Sequence, residues 1–315
     1  MRRRARETIR GCAVSARDGD GFVLIAVLWM LAALATLASI YSAYAIQTAG
    51  AAHILDDRVQ AEESVRSGIE MTVYRLLSAP EQERPSQGRF TLRVGRTGVA
   101  VRFRSEAARI DLNAAPPELL AGLFAATGIE SAQAKAYADR VVAWRAKPDS
   151  SGGGNEANLY ASSGSPYPPR QAPFDNALEL SLVHGLPAPV VERVLPFVTV
   201  FSGRPEIDVA TADRIVLTAL PGMTPEILGA VLKARAAPQG DPKTLLSLLG
   251  PAKSRAMVGA SKAVRSAVDV EFDNGRRVRA EVVFRLKDGE GEPYDILSWR
   301  DDFDGLTPIP WDPGG

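Results

Sequence analysis

Hydrophobic and polar positions divide this chain into stretches of different period. From Phe22 to Leu55 there is no Asp, Glu, Lys or Arg. That run exceeds the ~7–15 residues of a secretory signal core and meets the ~20 needed to cross a bilayer as a helix. The pattern then changes instead of stopping. Ile54, Leu55, Val59, Val65, Ile69, Val73, Leu76 and Leu77 recur at helical spacing with charged residues between them. An apolar half thus runs on into an amphipathic half, and "APEQERPSQG" ends it with a polar, proline-containing linker. Alternation takes over in "RFTLRVG" and "VAVRFRS", two strands of a hairpin around Gly95–Gly98, and returns near the C-terminus in "SAVDVEF", "RRVRAEVVFRL" and "YDILSW". Gly275 and Gly289 stand where those hairpins turn. Between the two β regions, from Ala107 to about Lys262, the period is helical.

That helical insert contains an internal repeat. "IDLNAAPPELLAGLFAATGIESAQAKAYADRVVAWRA" begins at Ile110 and "IDVATADRIVLTALPGMTPEILGAVLKARA" at Ile207. Each predicts a helix, a tight turn and a second helix. "LELSLVHGLPAPVVERVLPFVTV" is a poorer third copy. Gly128 and Gly222 supply the backbone freedom at the turns. Asp111 and Asp208 are expected to cap the helix starts or turns by accepting free backbone N–H groups. The hairpins resemble helix-hairpin-helix, or SAM-like, modules. Such modules often bind DNA backbone, but the tips here, "TGIES" and "PGMTPE", carry acids where a phosphate would lie. The surrounding helices lack the basic footprint that non-specific DNA affinity requires. No nucleic acid partner is expected. A membrane-tethered helix-hairpin-helix DNA-binding protein of an uptake system stands as the alternative function, and a plain anchored protein without filament partners as a third.

Composition narrows the chemistry. Formal net charge is zero over 315 residues, so no strong field points to a polyanion. The single cysteine, Cys12, precedes the apolar run. The remainder uses no disulfide and no thiolate metal site. The two histidines, His53 and His184, assemble no catalytic constellation, and there is no phosphate-cradling glycine loop. The expectation is that the protein is not an enzyme. Trp144, Trp299 and Trp311 are read as core or interface residues.

The N-terminus is the sharper signal. Arg2, Arg3, Arg4, Arg6, Arg10 and Arg17 outnumber Glu7, Asp18 and Asp20. This favours a cytoplasmic N-terminus with the rest outside, a single-pass inner-membrane protein. A basic leader, then Gly21–Phe22, then an unbroken apolar helix resembles the prepilin-type signal. That resemblance implies cleavage by a prepilin peptidase after Gly21 and retention of the helix. The fifth residue after the cut is Ala26, where most pilin-like proteins carry Glu. A buried carboxylate needs a partner, so a subunit without one needs no neighbour ahead of it and suits a tip.

Taken with "IDLNAAPPELLAGL" and "LPFVTVFSGRPEIDVATA", the chain from Gly21 to about Trp299 resembles the GspK family of type II secretion minor pseudopilins. The resemblance implies an α+β fold: a long N-terminal pilin-like transmembrane helix and an antiparallel β-sheet pseudopilin domain with a large helical insert. The divisions are a leader over 1–21, the helix over 22–80, the β domain over 81–106 and 263–315, and the insert over 107–262. It implies a tip subunit of a periplasmic pseudopilus supporting export of folded proteins, assembled with minor pseudopilins of the GspI, GspJ and GspH types. No cofactor is required, but the family is associated with calcium. In "NEANLY", Glu156 and Tyr160 match the family's pattern, and Asp149, Glu156 and Asn158 form the candidate ligand set, a thin one for an ion wanting ~6–8 oxygens. By its own residues the stretch reads as a flexible Gly/Ser/Pro loop.

Overall fold

The structure, a computed structural model, describes residues 20–147, 153–237, 242–289 and 291–303; for 20–21, 46–56, 153–155 and 242 it describes the backbone alone. The chain divides into two compact units between Gln60 and Ala61.

The first unit is the N-terminal part of helix α1 (Asp20–Leu77). Its segment Phe22–Ala45 has a mean hydropathy of 2.5 and contains no buried residue. At 1.5 Å per residue this is ~36 Å of helix, enough for a ~30 Å hydrocarbon layer. Its hydroxyls do not spoil that. Thr36 Oγ1 donates to the Ala33 carbonyl and Ser39 Oγ to the Ala35 carbonyl, both at 2.8 Å. These two hydroxyls are thus satisfied within the helix.

The second unit starts with the rest of α1. There the buried positions Ala61, Val65, Ile69, Val73 and Leu76 recur every three or four residues and form one face. They share a core with the inward positions of a five-stranded antiparallel sheet. Its strands are β1 (Gln87–Val94), β2 (Thr97–Ser105), β7 (Ala263–Glu271), β8 (Arg277–Leu286) and β9 (Tyr294–Asp301), in that spatial order. Val99, Val101 and Phe103 of β2, Val264, Val268 and Val270 of β7, and Val282 and Phe284 of β8 face the helix. Arginines and acids alternate with them on the other face. Gly68 marks the closest approach of helix to sheet, since a Cβ there would lie 3.0 Å from Val101 and 3.4 Å from Val268. Val94 pairs with Thr97 across a two-residue turn in which Gly95 has φ +59°.

The helical insert leaves the sheet after β2 and returns into β7, the strand beside it, with Ser105 opposite Val264. It comprises β3 (Ile110–Asp111), α2 (Pro117–Ala126), α3 (Ser131–Arg145), α4 (Gly153–Ser162) and α5 (Ala188–Val194). It continues through β4 (Val198–Thr199), β5 (Ile207–Asp208), α6 (Arg214–Thr218), α7 (Pro225–Arg235), α8 (Pro242–Leu248) and β6 (Ala256–Met257). Its core is separate from that of the sheet and includes Phe124, Tyr160, Leu119, Ile110 and Ile207. The repeat is therefore structural. Each "ID" forms a two-residue parallel ladder, β3 with β4 and β5 with β6.

Two expectations change. The stretch read as a flexible loop contains helix α4, because Tyr160 packs against Trp144 at 5.8 Å and draws the segment into the core. The poorer third copy makes a 3-10 turn over 177–182 and α5, with a capping box between Asn176 and Glu179.

Candidate functional site

The two copies of the repeat are closed by the same device. Asp111 Oδ1 accepts from the N–H of Asn113 (2.7 Å) and Ala114 (3.2 Å), while Oδ2 accepts from the Gly203 N–H at 2.7 Å. Asp208 Oδ1 accepts from the N–H of Ala210 (3.1 Å) and Gly259 (3.4 Å), and Oδ2 from the Thr211 hydroxyl at 2.6 Å. Each aspartate therefore ties the start of its unit to the chain returning at its end. Neither is a helix N-cap. Those positions are Pro116 for α2 and Asp213 for α6, which lie five residues further on because the carboxylate shapes the turn that precedes the helix. An arginine at the end of each second helix completes the closure. Arg145 donates to the Leu112 and Ala115 carbonyls, the latter at 2.6 Å, and Arg235 donates to the Ala212 carbonyl at 2.8 Å. Burial lowers both guanidinium pKa values, and Asp111 and Asp208 oppose the shift. Both repeat strings end in "RA", which is the trace of this pairing in the sequence.

Gly128 and Gly222 adopt φ +90° and +81°, the left-handed region that glycine enters without penalty. At the first tip the N–H groups that open α3 are already taken: Glu130 accepts from Ala132 (3.1 Å) and Gln133 (3.3 Å). At the second, Thr224 Oγ1 accepts from the Ile227 N–H at 3.3 Å. The helix starts that would hold a DNA phosphate are thus occupied by side chains of the chain itself, an acidic one at the first tip.

The neck of the insert carries a network that sequence reasoning missed. Glu106, fully buried, follows β2 directly. Arg265 of β7 grips it with two bonds, Nε to Oε1 at 2.7 Å and Nη2 to Oε2 at 3.1 Å. Arg265 also reaches Glu281 of β8 at 2.5 Å. Thr199 of β4 donates to Glu106, and Arg300 of β9 pairs with Glu281. Ser105 and Ser261 close the same junction, the Ser261 N–H donating to Ser105 Oγ at 2.8 Å. Burial alone would raise the Glu106 carboxyl, but Arg265, with Arg109 and Thr199, outweighs it and holds it below the usual carboxylate range. Glu281 is lowered in the same way, burial being overcome by Arg265, Arg300 and Arg109. Arg265 itself is raised, because Glu106 and Glu281 outweigh its burial.

Of the candidate calcium ligands, Asp149 lies outside the described residues, and the other two do not converge. Glu156 is buried on α4 and Asn158 is exposed on the same helix. Glu156 Oε2 accepts from Arg140 Nη1 at 2.8 Å, so a guanidinium stands where a cation would have to sit. Among the described residues no three acidic, histidine or cysteine side chains group to hold a metal ion. Glu156 and Asn158, so placed, do not fit calcium. Tyr160 beside them serves the core. Its hydroxyl donates to the Leu182 carbonyl (3.1 Å) and accepts from the His184 N–H (2.6 Å), and burial pushes its pKa up to about 12. His184 packs its ring on Tyr160 at 5.6 Å.

Gly21 and Phe22, where cleavage is expected, stand in the first turns of α1, and Phe22 and Ala26 are exposed.

Residues 103–203 match the family model of type II secretion system protein K. No curated protein matches the sequence. Among solved structures, the fold is similar to a chain of the GspK-GspI-GspJ complex from the type 2 secretion system of enterotoxigenic Escherichia coli. The TM-score is 0.55 at 17% identity, over 78% of this chain and 97% of that one, a likeness of fold. The matched span runs from the end of β2 through α2–α5 to β4 and includes Glu106, Asp111 and the Gly203 that Asp111 holds. The segment that carries the first repeat therefore matches the type II secretion system protein K family model, in a chain whose fold is like that of a chain of the GspK-GspI-GspJ complex and which has an N-terminal apolar helix.

Proposed function

We propose that this chain is the minor pseudopilin at the tip of a type II secretion pseudopilus, a structural subunit supporting export of folded proteins across the outer membrane. The observation that carries the reading is a conjunction within one chain. An exposed apolar segment of 24 residues opens α1, and the positions Ala61, Val65, Ile69, Val73 and Leu76 of the same helix are buried against a sheet. That sheet is interrupted by a segment matching protein K. The first part of α1 is an anchor in the inner membrane, with the leader cytoplasmic and the sheet and insert periplasmic. Extraction of α1 from the bilayer and packing against partner helices drive assembly. The partners are subunits of the GspI and GspJ types, as in the complex of similar fold, with a GspH type beneath them. Ala26, in place of a glutamate, leaves no buried carboxylate seeking a neighbour ahead and supports the tip position.

Mass spectrometry of the membrane-extracted protein, with and without the prepilin peptidase, tests this. A mature chain beginning at Phe22 only when the peptidase is present is the expected result. A chain that keeps residues 1–21, or is cut near Ala43–Ala45, overturns the reading.

No calcium is assigned a role. With Arg140 already on Glu156, a chelator is expected to leave the melting temperature of the purified protein unchanged. Arg140→Gln is expected to lower it by a few degrees, since it leaves a buried carboxylate with one partner fewer. Stabilisation by added calcium in the wild type would contradict this.

A further inference from the structure

The sheet face turned away from α1 holds a cleft of about 420 Å³ beside the neck. Six arginines line it, against two glutamates, and no lysine does. Arg265 lies over Glu106 and Glu281, and Arg279 and Arg102 over Asp269, at 2.6 and 3.3 Å. Arg89, Arg104 and Arg109 complete the six. Positive charge of this density in a partly enclosed site focuses the field outward. The guanidinium fork is matched to planar oxyanions.

The arrangement selects among anions. Arg102 and Arg104 are alternate residues of β2, so their side chains repeat every ~7 Å along the strand. Arg89 stands directly opposite Arg102 on the outer strand β1, ~5 Å across. An extended peptide has the same two-residue repeat. Acids lie between the arginines, Glu106 and Glu281 on the lining and Asp269 beside it. They would repel a continuous phosphodiester backbone, whereas separate carboxylates with neutral residues between them can sit over the arginines alone. We propose that this cleft docks an acidic segment of a protein partner, an extended stretch with Asp or Glu at alternate positions, its carboxylates paired with Arg89, Arg102 and Arg104. The cleft lies on the sheet and not on the anchor, and it can be tested whether or not the chain is cut at Gly21.

The test uses the full chain in detergent micelles and a short fluorescent peptide alternating glutamate and serine, with binding read as anisotropy at low salt. Saturable binding is expected, weakened about tenfold by Arg89→Glu and unchanged by Lys253→Glu, an equal change of charge at an exposed residue outside the cleft. Arg89 is exposed, so the variant is expected to melt as wild type does, and the melt is recorded alongside. A peptide of the same charge with paired glutamates is expected to bind more weakly. No binding at low salt, equal losses in the two variants, or tighter binding of a single-stranded oligonucleotide would each overturn the proposal.

Discussion

Gly122→Ala is expected to be the most damaging methyl group that can be added to the helical insert. A Cβ at Gly122 would stand 2.1 Å from the Ala219 carbonyl oxygen and 2.9 Å from its carbonyl carbon. Both obstacles are backbone, so no rotamer change relieves them. α2 and α6 would have to separate across a core that holds Leu119, Leu120, Leu123 and Leu217. Overpacking of this kind costs about 1–3 kcal/mol and more where backbone must move, so a drop in melting midpoint of roughly 10 °C or a failure to fold is expected. Gly229→Ala is the matched control. Gly229 lies within α7, and a Cβ there meets nothing within 4 Å. That variant is expected to be neutral or stabilising by about 0.5–1 kcal/mol, because alanine loses less backbone entropy in a helix. Circular dichroism melts of the two proteins decide it. Equal midpoints would show that α2 and α6 do not pack as closely as described.

Glu106→Ala is expected to have the second large effect. It strands Arg265 with its charge buried and one acid short, and it removes the acceptor of Thr199. Breaking one side of a buried pair typically destabilises by about 3–5 kcal/mol, a fall of roughly 10 °C for a unit of this size. Because Glu106 joins β7 to β4, proteolysis within the insert should rise with the loss of the neck. Replacing both partners, Glu106→Leu with Arg265→Met, should recover much of the loss, since paired charges traded for apolar groups of similar volume are often neutral. A double variant no better than the single would argue that Arg265 is held by Glu281 alone. The same network sets the acid limit of the protein. Glu106 and Glu281 have folded pKa values below the ordinary ~4.3 of a glutamate. Their stabilisation is full above that value and is lost as pH falls through the lower folded values. Acid unfolding of the wild type is therefore expected below about pH 4, and the pH dependence should flatten in Glu106→Ala.

Part of this molecule was legible in order along the chain. Thirty-four consecutive residues without Asp, Glu, Lys or Arg, Phe22 to Leu55, read as an apolar helix of spanning length, and Phe22–Ala45 is helical and apolar enough to span. The alternation in "VAVRFRS" falls within β2, and that in "RRVRAEVVFRL" falls from its second residue within β8, with Val99, Val101, Val278 and Val282 on one face and arginines on the other; Val283 breaks the pattern and is buried on the arginine face. The two "ID" strings announced a repeat, and the repeat is present as two parallel ladders closed by aspartate and arginine. These features depend on period and on turn chemistry within a few residues, which a linear reading can see.

The rest depended on neighbours distant in sequence. Nothing in "LLAGLF" and "EILGAV" separates Gly122 from Gly229; only the Ala219 carbonyl, 97 residues from the first, does so. Glu106 looks like an ordinary acid after a strand, and its burial follows from Arg265, 159 residues away. The segment around Glu156 has the composition of a loop, yet Trp144, itself packed on Phe174, gathers Tyr160 into the core, and the segment is helical. Arg140 then takes the carboxylate that the family resemblance assigned to calcium. By itself the sequence determined an apolar helix, an alternating sheet and a duplicated helical insert, because those are set by local period. Which glycine admits no side chain, which acid is buried and what partners it were decided only by the tertiary structure, because burial and pairing are properties of contacts between segments that the chain order keeps apart.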